Sequence, residues 1–313
     1  MLRKLAIGAA ALVAVAGAAF IWVYQEVTTL ESERVSDDVH VVQAGGINGN
    51  VAVLATADGA VVVDTMTFRA QGARIRELAE RLAGGPVQAV INTHYHLDHT
   101  HGNPGFPAGT HVVATQRTLE SMLEFDAGYW SGDNAGTLPN DTFETERELR
   151  IGGKTIRTLH LGRGHTGGDL VVLFVEDRVL HLGDLLFSGR YPSVDLEAGG
   201  SVEAWIGTLD RALALDFDRV IPGHGPVTDR AGIERFQRFL REVWEIVQQA
   251  VGEGLSLERT QELARKTLTS DAGFESIRIP GLLRIDRDFV VQRTYEEATG
   301  AVRPRESVGS PGS

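Results

Sequence analysis

The chain contains no cysteine among its 313 residues. That absence removes disulfides, thiolate catalysis, zinc fingers and iron–sulfur clusters together, so any metal must be held by His, Asp or Glu. Basic charge is scarce as well: 30 Lys and Arg stand against 42 Asp and Glu, a formal net charge of -12, and no basic tract occurs. Such a chain lacks the electrostatic footprint of a nucleic-acid binder, and its bulk charge does not draw it to anionic lipid. At 42% hydrophobic and 23% charged residues it reads as globular, with length for one large domain or two modest ones.

Long apolar runs are confined to the N-terminus. From Leu5 to Tyr24 the chain is uncharged and almost wholly apolar. As a helix rising about 1.5 Å per residue, this run would cross the roughly 30 Å of a bilayer core. Arg3 and Lys4 before it, with Gln25 and Glu26 after it, put the N-terminus inside and the body outside, and Trp22 and Tyr24 suit an interfacial belt. A cleaved signal peptide competes, since "AGA" at Ala16–Ala18 offers small residues for a peptidase. The run continues into "FIWVY", which favours an anchor in the inner membrane through residues 5–24. The body is exported either way, facing the periplasm or cell exterior, or secreted if the segment is removed.

The pattern downstream is one of layered α/β architecture. Short β-prone runs fill Val39–Thr65, with Asp58-Gly59 as a hairpin signal. A helix carrying Ile75, Leu78 and Leu82 stops at Gly84-Gly85-Pro86, and "VQAVIN" follows as a buried strand. Asn103-Pro104 reads as an N-cap followed by proline. A helix from Thr115 to Phe125 is expected to turn Leu119, Met122 and Leu123 inward, and Asp126–Asp141 is a long polar loop. Two hairpins, a helix from Ser201 with Trp205, Leu209, Ala212 and Leu213, the strand in "DRVIPGHG", and a long helix from about Arg230 to Ala250 complete the body. The expected organisation is an anchor or signal at 1–27, a domain at 38–250, a peripheral helical extension at 251–298 and a disordered tail at 299–313.

Within six residues, "HYHLDH" places His94, His96, Asp98 and His99 on the loop that leaves the strand "VQAVIN". His165 in "GRGHTGGD", Asp184 in "LHLGDLLF" and His224 in "VIPGHGP" also stand at or just beyond the ends of strand-like runs. If the strands pair in register, these side chains converge. A buried cluster of this composition is severely costly without a metal to coordinate, and on an open surface nothing would confine it to strand ends.

"THYHLDHTHGN", "GHTGGD", "GDLLF" and "PGHGP", in this order and at these spacings, resemble the metallo-β-lactamase fold superfamily over roughly residues 38–246. The resemblance implies a four-layer αββα sandwich. It implies a first metal site of His94, His96 and His165, a second of Asp98, His99 and His224, and Asp184 as the carboxylate bridging both. Such ligands suit zinc, two ions per chain, with iron or manganese as other occupants. A bridging hydroxide is then the implied nucleophile and Asp98 the group that orients it and passes a proton to the leaving group. The remaining histidines stay outside this set: His40 and His111 read as structural or surface residues, His160 and His181 as core histidines, and His101 as a neighbour or plain loop residue. Tyr95 reads as packing, and Tyr129, Trp130, Arg190 and Tyr191 are candidates for a substrate rim.

Fold does not give substrate. The true metallo-β-lactamases of this superfamily carry Cys or Ser where this chain has Asp184, while the "GDLLF" context is similar to glyoxalase II, lactonases and related hydrolases. The stretch "GHTGGDLVVLF" is also similar to exported members associated with quinoprotein or sulfur-oxidation systems. The expectation is hydrolysis of a small-molecule ester, thioester or lactone, with weak lactam cleavage, a mononuclear iron persulfide dioxygenase, and a membrane-anchored metal-binding protein without activity as the alternatives. Nuclease members add a nucleic-acid-binding element, which this acidic chain lacks. No protein partner is inferable.

Overall fold

The computed structural model describes residues 29–46, 48–279 and 283–302. The apolar run at Leu5–Tyr24 and the tail from residue 303 onward therefore lie outside the described residues. Among those described, no helix is long and apolar enough to cross a membrane.

Valine-rich runs make the first sheet, and their alternation sorts its two faces. β1 (Leu30–Arg34), β2 (Val39–Ala44), β3 (Val51–Thr56), β4 (Gly59–Val63), β5 (Val87–Ile91), β6 (Val112–Thr115) and β7 (Asp141–Phe143) lie side by side in that order. Pairing is antiparallel through β4 and parallel from β4 to β7. Along β4, Val61 and Val63 join the apolar layer between the sheets, while Ala60 and Val62 pack with Ile75 and Ala79 of α1 (Arg69–Ala83). This is the period of two expected when both faces of a strand are covered. The β3–β4 hairpin pairs Thr56 with Gly59, so its connection is Ala57-Asp58 and Gly59 opens the second strand, one residue earlier than the Asp58-Gly59 turn expected.

The second sheet runs β12-β11-β10-β9-β8, with β8 (Glu146–Ile151), β9 (Lys154–Leu159), β10 (Val171–Phe174), β11 (Val179–His181) and β12 (Arg219–Ile221). Ile156, Val172, Phe174 and Ile221 meet Leu54 and Ile91 of the first sheet. On the outer face, Leu173 and Leu180 pack against Trp205 and Leu209 of α3 (Val202–Leu213) and Phe236 and Phe239 of α4 (Arg230–Gly252). The layers are thus helix, sheet, sheet, helix. Ser201 and Asp229 cap these helices by accepting from the backbone N–H groups of Ala204, and of Ala231 and Gly232.

Three local readings differ from expectation. Asn103 does not cap a helix: it opens a short 3-10 turn, Asn103–Gly105, preceded by Gly102. Its buried amide instead donates to Asn92 Oδ1 (2.8 Å) and accepts from Thr65 Oγ1 (2.8 Å), a pairing made across the fold. In α2 (Gln116–Phe125) the inward face is Thr118, Ser121 and Met122, which turns Leu123 to solvent at 49% exposure. After residue 250, α5 (Leu257–Thr267) and α6 (Arg287–Thr299) are separated by a hairpin of Ile277–Ile279 with Leu283–Ile285, and Val290 and Val291 of α6 are buried in the same apolar cluster as Trp205.

The topology fixes where polar loops meet. β4 and β5 are parallel neighbours, β11 and β12 likewise, and β9 runs in their direction because both β9 and β11 oppose β10. The loops that follow these strands carry Asp64, His94–His99, His165, Asp184 and His224.

Candidate metal centre

β5 ends at Ile91 and the chain bends through Thr93, His94 and Tyr95, with His96 extended, before a single helical turn, Leu97–Thr100. Thr100 Oγ1 donates back to His96 O (3.0 Å), closing the turn that carries Asp98 and His99. His94, His99, His165, Asp184 and His224 are buried, whereas His96 and Asp98 keep 20% and 16% of their side chains open to solvent. The cluster is therefore open to solvent on the His96–Asp98 side.

The seven side chains expected as ligands come together in three overlapping groups: His94, His96 and His165; His94, His99 and Asp184; Asp98, His99 and His224. His96 Nδ1 lies 3.2 Å from His94 Nε2 and 2.7 Å from His165 Nε2. Asp98 Oδ2 is 3.5 Å from His99 Nε2 and 3.3 Å from His224 Nε2. Asp184 stands between the sets, with Oδ1 3.2 Å from His99 Nε2 and Oδ2 3.4 Å from both His165 and His224.

The outer nitrogens of four of these rings are already occupied. His96 Nε2 is 2.9 Å from Asp195 Oδ2, His99 Nδ1 2.7 Å from Asp64 Oδ2, His165 Nδ1 2.8 Å from the Ser193 carbonyl, and His94 Nδ1 3.1 Å from Thr93 Oγ1. A carboxylate or carbonyl only accepts, so His96, His99 and His165 each carry a proton on the outer nitrogen. A neutral ring then turns a bare lone pair inward, as a metal ligand must. Within the cluster, His99 Nε2 and Asp184 Oδ1 are fully buried and hydrogen-bonded to nothing, although they face one another. With His99 neutral these two atoms are left unpaired, and either a proton on the ring or a cation between them would relieve both. The donor set fits a metal.

Backbone closeness holds the cluster in place. A Cβ on Gly49 would sit 2.3 Å from the His99 ring, and one on Gly223 would sit 2.0 Å from Asp184 Oδ1, so only glycine lets these loops approach. Asp64 adopts φ 63, a left-handed conformation that non-glycine residues seldom take, and its carboxylate accepts from Thr93 N (2.8 Å) and Thr93 Oγ1 (2.7 Å) as well as facing His99.

Without bound metal, electrostatics splits the cluster in two. Burial, reinforced by the neighbouring histidines, holds His94 well below its ordinary value, and burial pulls His165 down to about 4. In the other half burial also disfavours charge, but Asp184 and Asp98 outweigh it, raising His224 to about 9 and His99 well above its usual range. Asp98 is held low despite burial by His99 and by its hydrogen bond with His224, and Asp184 lower still by His224, His99 and His165. Carboxylates at one end and neutral imidazoles at the other form a graded site.

Sequence reasoning missed Asp64, Thr93, Ser193 and Asp195. Asp64 had a signal, since it closes the apolar run "GAVVVD" as Asp184 closes "VLHLGD"; Asp195, in "YPSVDLEAGG", had none. Tyr95 is more than packing: its hydroxyl donates to Asp195, the carboxylate that faces His96. His101 stacks on Tyr129 with centroids 3.5 Å apart and lies 2.5 Å from Asp126, so it faces the 126–138 loop, while Trp130 is buried beside Tyr95 and Met122. Tyr191 donates to Asp271, which turns this rim candidate toward the C-terminal segment, and the Arg190 backbone forms a β-bridge with Glu275. His40 is half-buried in β2, and His111 pairs with Asp141 at 3.0 Å. His160 meets Asp169 O at 2.7 Å, and the fully buried His181 accepts from Gly183 N.

A family model described as the Metallo-beta-lactamase superfamily matches residues 44–224, a span that includes every side chain of the cluster. The 2,4-dinitroanisole O-demethylase subunit alpha of Nocardioides sp. (strain JS1661) is 29% identical over 170 residues, covering 53% of this chain and 49% of that protein. The linear primary-alkylsulfatase of Pseudomonas sp. (strain ATCC 19151) is 24% identical over 267 residues, covering 71% of this chain and 48% of that one. The chain thus spans about half the length of both relatives. A solved metallo-beta-lactamase from Pontibacter korlensis superposes with a TM-score of 0.58 at 22% identity, covering 68% of this chain and 99% of that one, a likeness of fold.

Proposed function

This chain belongs to the metallo-β-lactamase superfamily, and from that premise we propose that it is a zinc-dependent hydrolase with two ions, acting on an ester, thioester or lactone. The observation that carries the reading is the convergence of imidazole and carboxylate atoms in which four rings are fixed by their outer nitrogens, while His99 Nε2 and Asp184 Oδ1 face inward without a hydrogen bond. His94, His96 and His165 would hold one ion, Asp98, His99 and His224 the other, and Asp184 would touch both. Iron or manganese would be accepted by the same ligand types, with zinc favoured by the imidazoles. Bound ions would bring the pKa of water near 7 and polarise the substrate carbonyl.

The chain's own residues do the rest. Asp98, ionised and partly open to solvent, takes the proton of the attacking water and delivers it to the leaving oxygen or sulfur. Asp64, Asp195 and the Ser193 carbonyl keep the rings from turning, so the site is organised before substrate arrives. Asp184, where lactamases of the superfamily have Cys or Ser, supports the ester-type substrate. Arg3 and Lys4 ahead of Leu5–Tyr24 support an exported, membrane-anchored enzyme.

The names of the relatives widen the choice of test compounds to a sulfate monoester and an aryl methyl ether. Turnover of a panel of ester, thioester, lactone, lactam, sulfate ester and aryl ether is expected to be highest on one of the first three and to stop on chelation. Exclusive cleavage of the sulfate ester, aryl ether or lactam would overturn the substrate class. No turnover of any member would overturn the enzyme reading.

A further inference from the structure

One irregular segment supplies the outer partners of two ligand rings. Ser193 gives its carbonyl to His165, and Asp195 gives its carboxylate to His96. Asp195 is itself fully engaged: its Oδ2 accepts from Tyr95, its Oδ1 accepts from Ala198 N (3.1 Å), its N–H donates to His165 O (2.9 Å) and its carbonyl accepts from Gly200 N (2.8 Å). The stretch 191–201 contains no helix or strand; backbone hydrogen bonds of Asp195, Ala198 and Ser201 tie one side of it to residues 164–167, and its other contacts come from what packs over it.

What packs over it is the C-terminal segment. From α6, Arg293 donates through Nε to Val194 O (3.1 Å) and forms an ion pair with Glu197, flanking Asp195 on both sides in sequence. Glu297 accepts from Ser201 Oγ (2.6 Å) and Val202 N (2.7 Å), fixing the far end of the stretch. At the near end, Tyr191 donates to Asp271 (2.6 Å), which Arg287 of α6 holds with two hydrogen bonds. All of these bracing groups lie beyond residue 224, outside the span the family model matches. By contrast, His99 is held by Asp64 and packed against Gly49, both at the opposite end of the chain.

We propose that Arg293 and Glu297 are positioning residues for the three-histidine group: α6 braces the 191–201 segment, and that segment sets the angle of His96 and His165 and hence how tightly they hold an ion. The inference rests on the reading of these histidines as metal ligands. The brace acts on one half of the centre only, which separates it from a general contribution to folding.

The test is titration of metal-free, full-length protein with Co(II), read by visible absorption and by competition with a chelator, so that two binding constants are resolved. Wild type is compared with Arg293→Met, Glu297→Gln and Asp195→Asn, each checked for folding by circular dichroism. Asp195→Asn is expected to weaken the three-histidine constant about 10–100-fold, and Arg293→Met and Glu297→Gln about tenfold, each with an altered cobalt spectrum and an unchanged second constant. If one variant fails to fold, the other two carry the test. Variants with wild-type constants and spectrum would overturn the inference, as would an equal fall in both constants. Absence of cobalt binding by wild type would instead overturn the metal-centre reading itself.

Discussion

Asp98→Asn is expected to lower turnover by about 10²–10⁴-fold, the usual contribution of a positioned proton carrier, and to lower kcat more than it raises KM. The side chain is the one carboxylate of the cluster with appreciable solvent access, at 16%, and His99 and the His224 hydrogen bond keep it ionised at neutral pH. Asparagine preserves shape and an oxygen toward His224 but cannot take up a proton. Measuring kcat and KM at saturating zinc, with metal content determined on the same sample, separates lost proton transfer from lost metal. Full activity in a variant that retains its metal would remove Asp98 from the reaction.

The metal-free protein is expected to lose stability as pH rises, by about 3 kcal/mol through His224 alone. Its value in the folded chain is about 9 against 6.5 for the free side chain, because Asp184 and Asp98 outweigh the cost of burial. Between those values the folded state binds more protons than the unfolded state. The contribution is complete below pH 6.5 and is lost as pH climbs through 9; His99, raised for similar reasons, acts in the same direction. Metal-loaded protein should show the opposite trend, since ligation displaces protons and tightens as pH rises. At a thousandfold excess over the dissociation constant, a bound ion adds about 4 kcal/mol. Denaturant unfolding from pH 6 to 9.5, with and without zinc, checks both signs. Metal-free stability that rises across this window would mean that Asp98 and Asp184 do not hold protons on these histidines.

The convergence of the cluster was legible because several of its members stand at or just beyond the ends of apolar runs, and strand pairing carries strand ends to one edge. His94, His165, Asp184 and His224 needed only that rule. Asp64 obeys it too, but a lone carboxylate without a histidine nearby in sequence draws no notice. Asp195 was out of reach: its partner His96 lies 99 positions away, and no local pattern marks a residue whose role is to face another loop. The same distance hid the polar role of Tyr95. Asn103 followed local cap chemistry on paper, yet Asn92 and Thr65 compete for its amide across the fold, and buried amides go where their hydrogen bonds are met. Leu123 failed for a simpler reason, since the face that buries Thr118, Ser121 and Met122 leaves it a third of a turn too far round. The alternation in "IRI" and "LRI" marked the C-terminal hairpin, but the helical stretches on either side of it obscured that signal.

Metal content per chain, measured on protein purified without added metal and assayed for ester and lactone hydrolysis in the same preparation, tests the central claim most directly. Two zinc ions per chain, with activity that chelation abolishes and zinc restores, is the predicted result. A single iron per chain with no hydrolysis would contradict it, and would point to oxygen-dependent sulfur chemistry at the three-histidine group.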